Sequence, residues 1–481
     1  MQPSPFRLNN VGPRVPTVGL RVAAVGVVAL LAPLAWAGIA TPELNFTQFT
    51  LPNGLQVLLS EDHSVPLTSV EIWYHVGAKS EVPGRSGFAH LFEHIMFQGS
   101  RDVGEDLYFK YLEGAGATLI NGTTDFDRTN YFETVPSNQL DLALWLESDR
   151  MGFLLDTLSQ ARLDNQRDVV RKERQQSTEN VPYGKAEEQF YKQLFPAPHP
   201  YNGVVIGSHA DLQAATLDDV KGFFKTYYVP NNATLAVVGD YNPLTIKDEI
   251  TKYFGDIPRA ADPPKEQITL VPHTTEQRLS LTDNVELARV YFGWVTPSSF
   301  QPGDAELTLA ANVLSNGKAS RLQKALTIDK AIASDVSASQ YDLQHGSVFS
   351  VQVTGNPGET AQQVEDAAWP VIQGLATTPP TKEELNRALT AWQATTLRQL
   401  QSLGGFGGKA DMLNYYNHHT GDPGYLPKDF ARMEAVTPES LAKVYGEQIK
   451  KDNRVVVQVS PPAPAAPAAP TTTPAKAGGA K

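Results

Sequence analysis

The sequence of 481 residues contains no cysteine. That excludes disulfides and every thiolate metal site, so any bound ion must be held by His, Asp or Glu. Basic clusters are also missing. With Lys+Arg 40 against Asp+Glu 52 the net charge is −12, which argues against nucleic acid as the main partner. Acidic residues are absent from the first 37 positions, which instead carry Arg7, Arg14 and Arg21. The apolar run "VAAVGVVALLAPLAWA" that follows is short for a membrane span and holds Pro33. A basic start, an apolar run and an Ala35-Trp36-Ala37 end predict a signal peptide over 1–37, cut before Gly38; the alternative is an uncleaved anchor. Cleavage would remove three positive charges and take −12 to −15. No twin arginine and no lipid-accepting cysteine accompany the run. The expected location is periplasmic or secreted, with no membrane span after cleavage.

Hydrophobic content of 41% with 19% charged residues marks a folded chain, and its length exceeds what one core organises. Two stretches break it. "IPRAADPPKEQ", 257–267, reads as a linker, and the Pro/Ala/Thr-rich end, 461–481, as a disordered tail. The pieces between, 38–256 and 268–460, look like repeats. "TLDDVKGFFKTYYVPNNATLAVVGD" from Thr216 aligns without a gap with "TPESLAKVYGEQIKKDNRVVVQVS" from Thr437, an offset of 221. Both read as a threonine N-cap, an amphipathic helix, a turn at Asn232 or Asn453, and a β-branched strand. "VEIWYHV" from Val70 matches "VYFGWV" from Val290 at an offset near 220. The expected fold class is α+β, duplicated.

"GFAHLFEHIMFQGS", residues 87 to 100, is greasy yet polar at three places. Phe88, Leu91, Phe92, Ile95, Met96 and Phe97 predict a mostly buried helix. His90 and His94 fall one turn apart on one face, with Glu93 beside them. Burying three such groups is costly unless they find partners. At the offset of 220 they stand opposite Ala310, Val313 and Leu314, an apolar version of the same helix. Zinc binds neutral imidazoles, and His at i and i+4 can reach one ion. A carboxylate at i+3 can take a proton from a water held there. A catalytic zinc needs a third protein ligand. In "LDNQRDVVRKERQQSTEN", a predicted helix from Leu163, Val169 and Val170 mark the apolar face, and Glu173 falls on it. Asp168 and Glu179 read as solvated acids, His418 and His419 as surface residues in a loop, and His199 as part of a turn.

His90-Leu-Phe-Glu93-His94, with a glutamate in "VVRKERQ" nearly eighty residues on, resembles the pitrilysin/insulinase family of inverted-motif zinc peptidases. The resemblance extends to "LPNGLQVLL", "NGTTDFDRTNYFETVP", "HPYNGVVIG" and "YYVPNNATLAVVGD". The length is similar to that of the short-subunit branch, which includes mitochondrial processing peptidase and bacterial periplasmic homologues. The resemblance implies two similar α/β domains, each a mainly antiparallel sheet packed with helices, and two subunits around a chamber. It implies His90, His94 and Glu173 as zinc ligands and Glu93 as general base. Asn121 and Gly122, after Thr118, would lie on a substrate-binding edge strand, whose unpaired groups suit an extended peptide.

One departure stands out. The family's complete enzymes carry an Arg and, seven residues on, a Tyr that help bind the substrate carbonyl and the tetrahedral intermediate. In "LQKALTIDKAIASDV" from Leu322 those positions fall on Thr327 and Ser334; Arg321 and Tyr341 stand nearby. The reading is a zinc endopeptidase whose partner, a homologous subunit, supplies Arg and Tyr in a heterodimer; a homodimer is the alternative. A non-catalytic scaffold subunit and a metal-storage module are the competing classes, and the base beside the metal disfavours both. "SLGGFGGKADMLNYY" from Ser402 is not a Walker loop. It reads as a flexible linker or as a mobile loop touching substrate or partner.

Overall fold

Two sheets with the same strand order carry the chain. The structure, a computed structural model, describes residues 41–265, 268, 270 and 273–463. The expected signal peptide, linker residues 266 and 267, and the tail beyond 463 lie outside the described residues.

The first half contains β1 (Thr47–Thr50), β2 (Gln56–Glu61), β3 (Leu67–Tyr74), α1 (Phe88–Ile95), α2 (Leu107–Gly114), β4 (Thr118–Thr124), β5 (Thr129–Pro136), α3 (Leu140–Phe153), α4 (Gln160–Arg174), α5 (Gly184–Leu194), α6 (His209–Ala214), α7 (Leu217–Tyr227), β6 (Ala233–Gly239) and α8 (Ile246–Phe254). The second contains β7 (Gln277–Thr282), β8 (Arg289–Thr296), α9 (Asp304–Ser315), β9 (Ala333–Tyr341), β10 (Ser347–Gly355), α10 (Ala361–Thr377), α11 (Lys382–Gln399), α12 (Lys409–Thr420), α13 (Leu426–Glu434), α14 (Pro438–Gln448) and β11 (Val455–Ser460). The sheets run β1-β2-β6-β3-β5-β4 and β7-β11-β8-β10-β9. Without β1 the orders coincide. Each sheet has one parallel pair, β2 with β6 and β7 with β11, and is otherwise antiparallel among the described residues. Gln56 faces Thr234 and Gln277 faces Val455, so the register carries the offset read from the sequence.

Local chemistry explains the agreement. Thr216 and Thr437 both close capping boxes, on α7 and α14. Asn232 donates to Tyr227 O (2.8 Å) and Asn453 to Gln448 O (3.0 Å), the same bond in both halves. The β-branched runs that follow are buried central strands.

Both faces of each sheet are covered, so successive side chains of one strand enter different cores. In β6, Leu235 and Val237 point into the core beneath α1, α3, α7 and α8, while Ala236 and Val238 meet Leu413 and Tyr416 of α12. In β11, Val456 joins the core of α9, α10 and α14, while Val455, Val457 and Val459 meet Phe190 and Leu194 of α5. Each half thus lends a helix to the other's sheet. Burying a Val, Leu or Phe side chain contributes roughly 1.5–3 kcal/mol, so these loans tie the halves together. The apolar version of α1 is present as expected: Ala310, Val313 and Leu314 are buried on α9.

Candidate metal and peptide site

α1 begins at Gly87, which has no capping side chain. Glu81 takes the role from outside: its carboxylate accepts the amides of Gly87 and Ala89, each at 2.9 Å. This leaves fewer orphan donors at the helix start, while burial outweighs those bonds and pushes the Glu81 pKa up to about 8. Phe88, Leu91, Phe92 and Ile95 are buried, and Phe92 stacks on Phe223 and Tyr228. With that face anchored, His90, Glu93 and His94 emerge together on the other. Their ligand-type atoms lie within 4.8 Å of one another.

α4 is capped by Ser159, whose hydroxyl accepts Arg162 N at 3.3 Å. Leu163, Gln166 and Val170 form its buried face. Val169, expected there, is 39% exposed; a residue turned about 100° from Val170 cannot share its direction. Arg174 clamps the helix end by donating to Gly207 O (2.6 Å) and pairing with Glu188 (2.5 Å). Glu173 is thereby aimed at α1. Its Oε1 lies 3.6 Å from His90 Nε2 and its Oε2 3.1 Å from His94 Nε2.

The electrostatics match a metal-binding donor set. Burial, with His94 beside it, pushes the His90 pKa down to about 4. The hydrogen bond from His94 holds Glu173 below the usual carboxylate range. Burial raises Glu93. His90 Nε2 faces the Glu173 carboxylate at 3.6 Å, beyond hydrogen-bond distance, and its buried Nδ1 has no hydrogen-bond partner among the described residues. A cation between His90 Nε2, His94 Nε2 and the Glu173 carboxylate satisfies all three, and two neutral imidazoles with one carboxylate fit zinc.

β4 is the outermost strand of its sheet. It carries both Asn121, which is exposed, and Gly122, which is buried. A Cβ at Gly122 would stand 3.1 Å from Glu93 Cγ, 3.1 Å from Phe97 and 3.0 Å from Tyr131, so a larger residue here would crowd the acid and its neighbours. Two residues on, Thr124 donates from Oγ1 to Glu93 Oε2 at 2.7 Å. Neither Thr124 nor Glu81 stood out in the sequence. The period of two places Thr124 on the Gly122 face, the one signal that identifies it; nothing local marks Glu81.

Other expectations fare differently. Asp168 is exposed, as read. Glu179 is not a solvated acid: it pairs with Arg174 (3.3 Å) and His209 (3.1 Å). His418 and His419 are not loop residues on the surface; they sit partly buried on α12. His418 Nδ1 lies 2.7 Å from His75 Nδ1, with the rings stacked. The tyrosines and asparagines around them are the helix's buried face, which is why the segment looked polar. His199 does occupy a turn, accepting Tyr201 N through Nδ1 at 3.1 Å. Thr327 Oγ1 donates to Gln323 O (2.5 Å), and Ser334 Oγ to Gly355 O (3.1 Å). Arg321 is held bidentately by Glu384, both contacts at 2.9 Å. Tyr341 ends β9, partly exposed. Residues 402–408 are not a free linker. Lys409 N donates to Ser402 O (3.0 Å), Gly407 N to Asp411 Oδ2 (2.7 Å), and Lys409 pairs with Asp62.

Residues 56–196 match the model of the insulinase family, peptidase family M16, and residues 214–391 match that of the "Peptidase M16 inactive domain". The chain belongs to the M16 peptidase family. Its relatives in that family include the zinc protease PqqE of Helicobacter pylori, 30% identical over 73% of this chain and 80% of the relative. They also include a probable mitochondrial-processing peptidase subunit beta of Arabidopsis thaliana, 24% identical over 45% of this chain and 39% of that one. Among solved structures, a protease from Helicobacter pylori superposes with a TM-score of 0.81 at 27% identity, covering 87% of this chain and all of that one. The periplasmic protease PqqL from Escherichia coli shares the fold, with a TM-score of 0.71 at 16% identity over 87% of this chain and 48% of that one. Two sheets flanked by helices are the M16 fold, and peptide hydrolysis is the family's chemistry. Among the described residues no helix is long and apolar enough to cross a membrane.

Proposed function

We propose that this chain is a zinc-dependent endopeptidase acting on peptides or unfolded segments, and that it is the metal-bearing subunit of a heterodimer. The carrying observation is the meeting of four side chains under an open sheet edge: His90, His94 and Glu173 converge, and Glu93 is held by Thr124 of β4. His90, His94 and Glu173 would hold the zinc, which supplies a Lewis acid at the scissile carbonyl. Glu93 takes the proton of the attacking water and passes it to the leaving amine. Thr124 occupies Glu93 Oε2, which leaves Oε1 for that water. The free edge of β4, at Asn121 and Gly122, pairs with the peptide as an added strand. Residues 38–256 form the catalytic domain and 268–460 the homologous domain without metal ligands.

Support for a second subunit comes from the missing oxyanion donors. Thr327 and Ser334 spend their hydroxyls on backbone carbonyls, and Arg321 is tied to Glu384. A homologue carrying Arg and Tyr completes the site in trans; a homodimer with a different oxyanion arrangement is the alternative. The basic, apolar start of the sequence and the periplasmic PqqL relative support export to the periplasm. The test is zinc content by plasma emission and hydrolysis of an unstructured fluorogenic peptide, by the chain alone and with a co-encoded homologue. Stoichiometric zinc with hydrolysis is the expected result; a folded chain that retains no zinc contradicts the reading.

A further inference from the structure

Next to the edge of β4 the fold exposes two large apolar side chains. Leu119 is 56% exposed and Phe406 is 67% exposed. Leu119 sits where the β4–β5 register shifts, between Thr118 and Asn121, with φ at +55°. A bulge re-aims a side chain, and a non-glycine residue in this region is strained. The turned side chain meets the backbone of the 402–408 loop: a Cβ at Gly405 would lie 3.4 Å from Leu119 Cδ1. Phe406, the next residue, packs edge-on against Phe132, ring centroids 5.4 Å apart, and Phe132 is the partner of Asn121 in the ladder.

The loop is built to stay there. A Cβ at Gly404 would stand 1.8 Å from Ser69 Oγ, so the backbone lies directly on the sheet. Beyond the pinning contacts already described, Leu403 is buried with Ala236, Val238 and Leu413. This firmly held loop presents its aromatic ring to solvent beside the outermost strand of the sheet.

We infer that Leu119 and Phe406 form a specificity subsite that selects a bulky apolar residue of an extended peptide paired along β4. An added strand turns alternate side chains to opposite faces. Those facing α1 meet the Gly122 side; those facing α12 meet Asn121, Phe406 and Leu119. Leu119 precedes Gly122 by three residues, at most about 10 Å of strand because the register shifts between Thr118 and Asn121, so the selected residue lies within about three positions of the scissile bond. The subsite rests on the peptidase reading for its role and on the β4 edge for its geometry.

Two measurements separate it from that reading. The first is binding of fluorescein-labelled unstructured peptides to the full chain carrying Glu93→Gln. The peptides come as pairs differing only by Leu or Ser at each position in turn. One position should favour Leu by about tenfold. Adding Phe406→Ser, or Leu119→Ser, should remove that preference, Phe406→Leu should keep it, and Leu244→Ser, at an exposed apolar residue elsewhere, should not touch it. Equal affinities at every position, or a preference that survives Phe406→Ser in a protein with unchanged circular dichroism and zinc content, overturns the subsite. The second is cleavage-site mapping with the wild-type chain and its partner. Cleavage without any apolar preference within three positions of the cut refutes the subsite and leaves the peptidase standing. Phe406-dependent binding without cleavage establishes the subsite and refutes the peptidase.

Discussion

The Thr124 hydroxyl donates to Glu93 Oε2 at 2.7 Å, joining the edge strand β4 to the acid on α1. The same strand that would receive the peptide therefore sets the orientation of the base. Thr124→Val should lower kcat by roughly ten- to a hundredfold, the usual worth of a hydrogen bond to a charged group, with KM and zinc content little changed. Thr124→Ser should restore most of it. Steady-state kinetics on the three proteins decide; a Val variant with normal kcat would show that Glu93 is oriented without Thr124.

Glu93→Gln removes the base and leaves every proposed ligand. Zinc should remain stoichiometric while peptide hydrolysis falls by about 10²–10⁴. Activity within a few-fold of the wild type would mean that another group takes the proton.

Glu173 touches both histidines through separate carboxylate oxygens, at 3.6 Å and 3.1 Å. Glu173→Gln should lose zinc on dialysis against a weak chelator under conditions in which the wild type keeps it. Arg174, which clamps the helix end, is left in place, so the fold should survive. Retention of zinc by the variant would remove Glu173 from the ligand set.

The isolated chain should bind zinc yet cleave poorly, because each absent oxyanion donor costs about 3 kcal/mol, some hundredfold in rate. Adding the homologue that carries Arg and Tyr should restore turnover in titration at a one-to-one endpoint. Full activity of the single chain, with no gain from any relative, would favour the homodimer.

His75 and His418 link the two halves through facing Nδ1 atoms, and only one can hold the shared proton. Burial, with Lys79 and His419 nearby, pushes His75 down to about 4, and burial with His75 beside it pushes His418 well below its ordinary value. Both are neutral in the fold. Between the ordinary value of 6.5 and about 4 the unfolded chain binds protons that the folded chain refuses. Stability is then complete above pH 6.5 and declines as pH falls through that window, by on the order of 1–3 kcal/mol for His75, with His418 acting in the same direction. His418→Phe keeps a stacked ring and removes one titrating group. Urea midpoints at pH 7.5, 6 and 5 should fall less steeply for that variant; parallel slopes would show that the pair does not govern acid sensitivity.

Much of the site was legible because it is local. The i, i+3, i+4 spacing of His90, Glu93 and His94 puts them on one helix face whatever the rest of the chain does, since α-helical pitch alone sets it. The threonine caps at 216 and 437 and the apolar residues at 310, 313 and 314 were likewise readable, because capping and periodicity act within a few residues. That the two sheets share one strand order followed from the duplication; the order itself did not.

What the sequence by itself determined is thus the motif, its repeat and the elements that bear them. The tertiary structure alone decided which distant groups meet. Val169 and Val170 looked equivalent, and only packing buried one and exposed the other. His418 looked superficial until α12 crossed onto the first sheet and brought it to His75. Thr124 reached Glu93, and Phe406 reached the β4 edge, through contacts between segments far apart in the chain. Such contacts depend on the summed burial of whole sheet faces, a quantity that no short stretch of sequence contains.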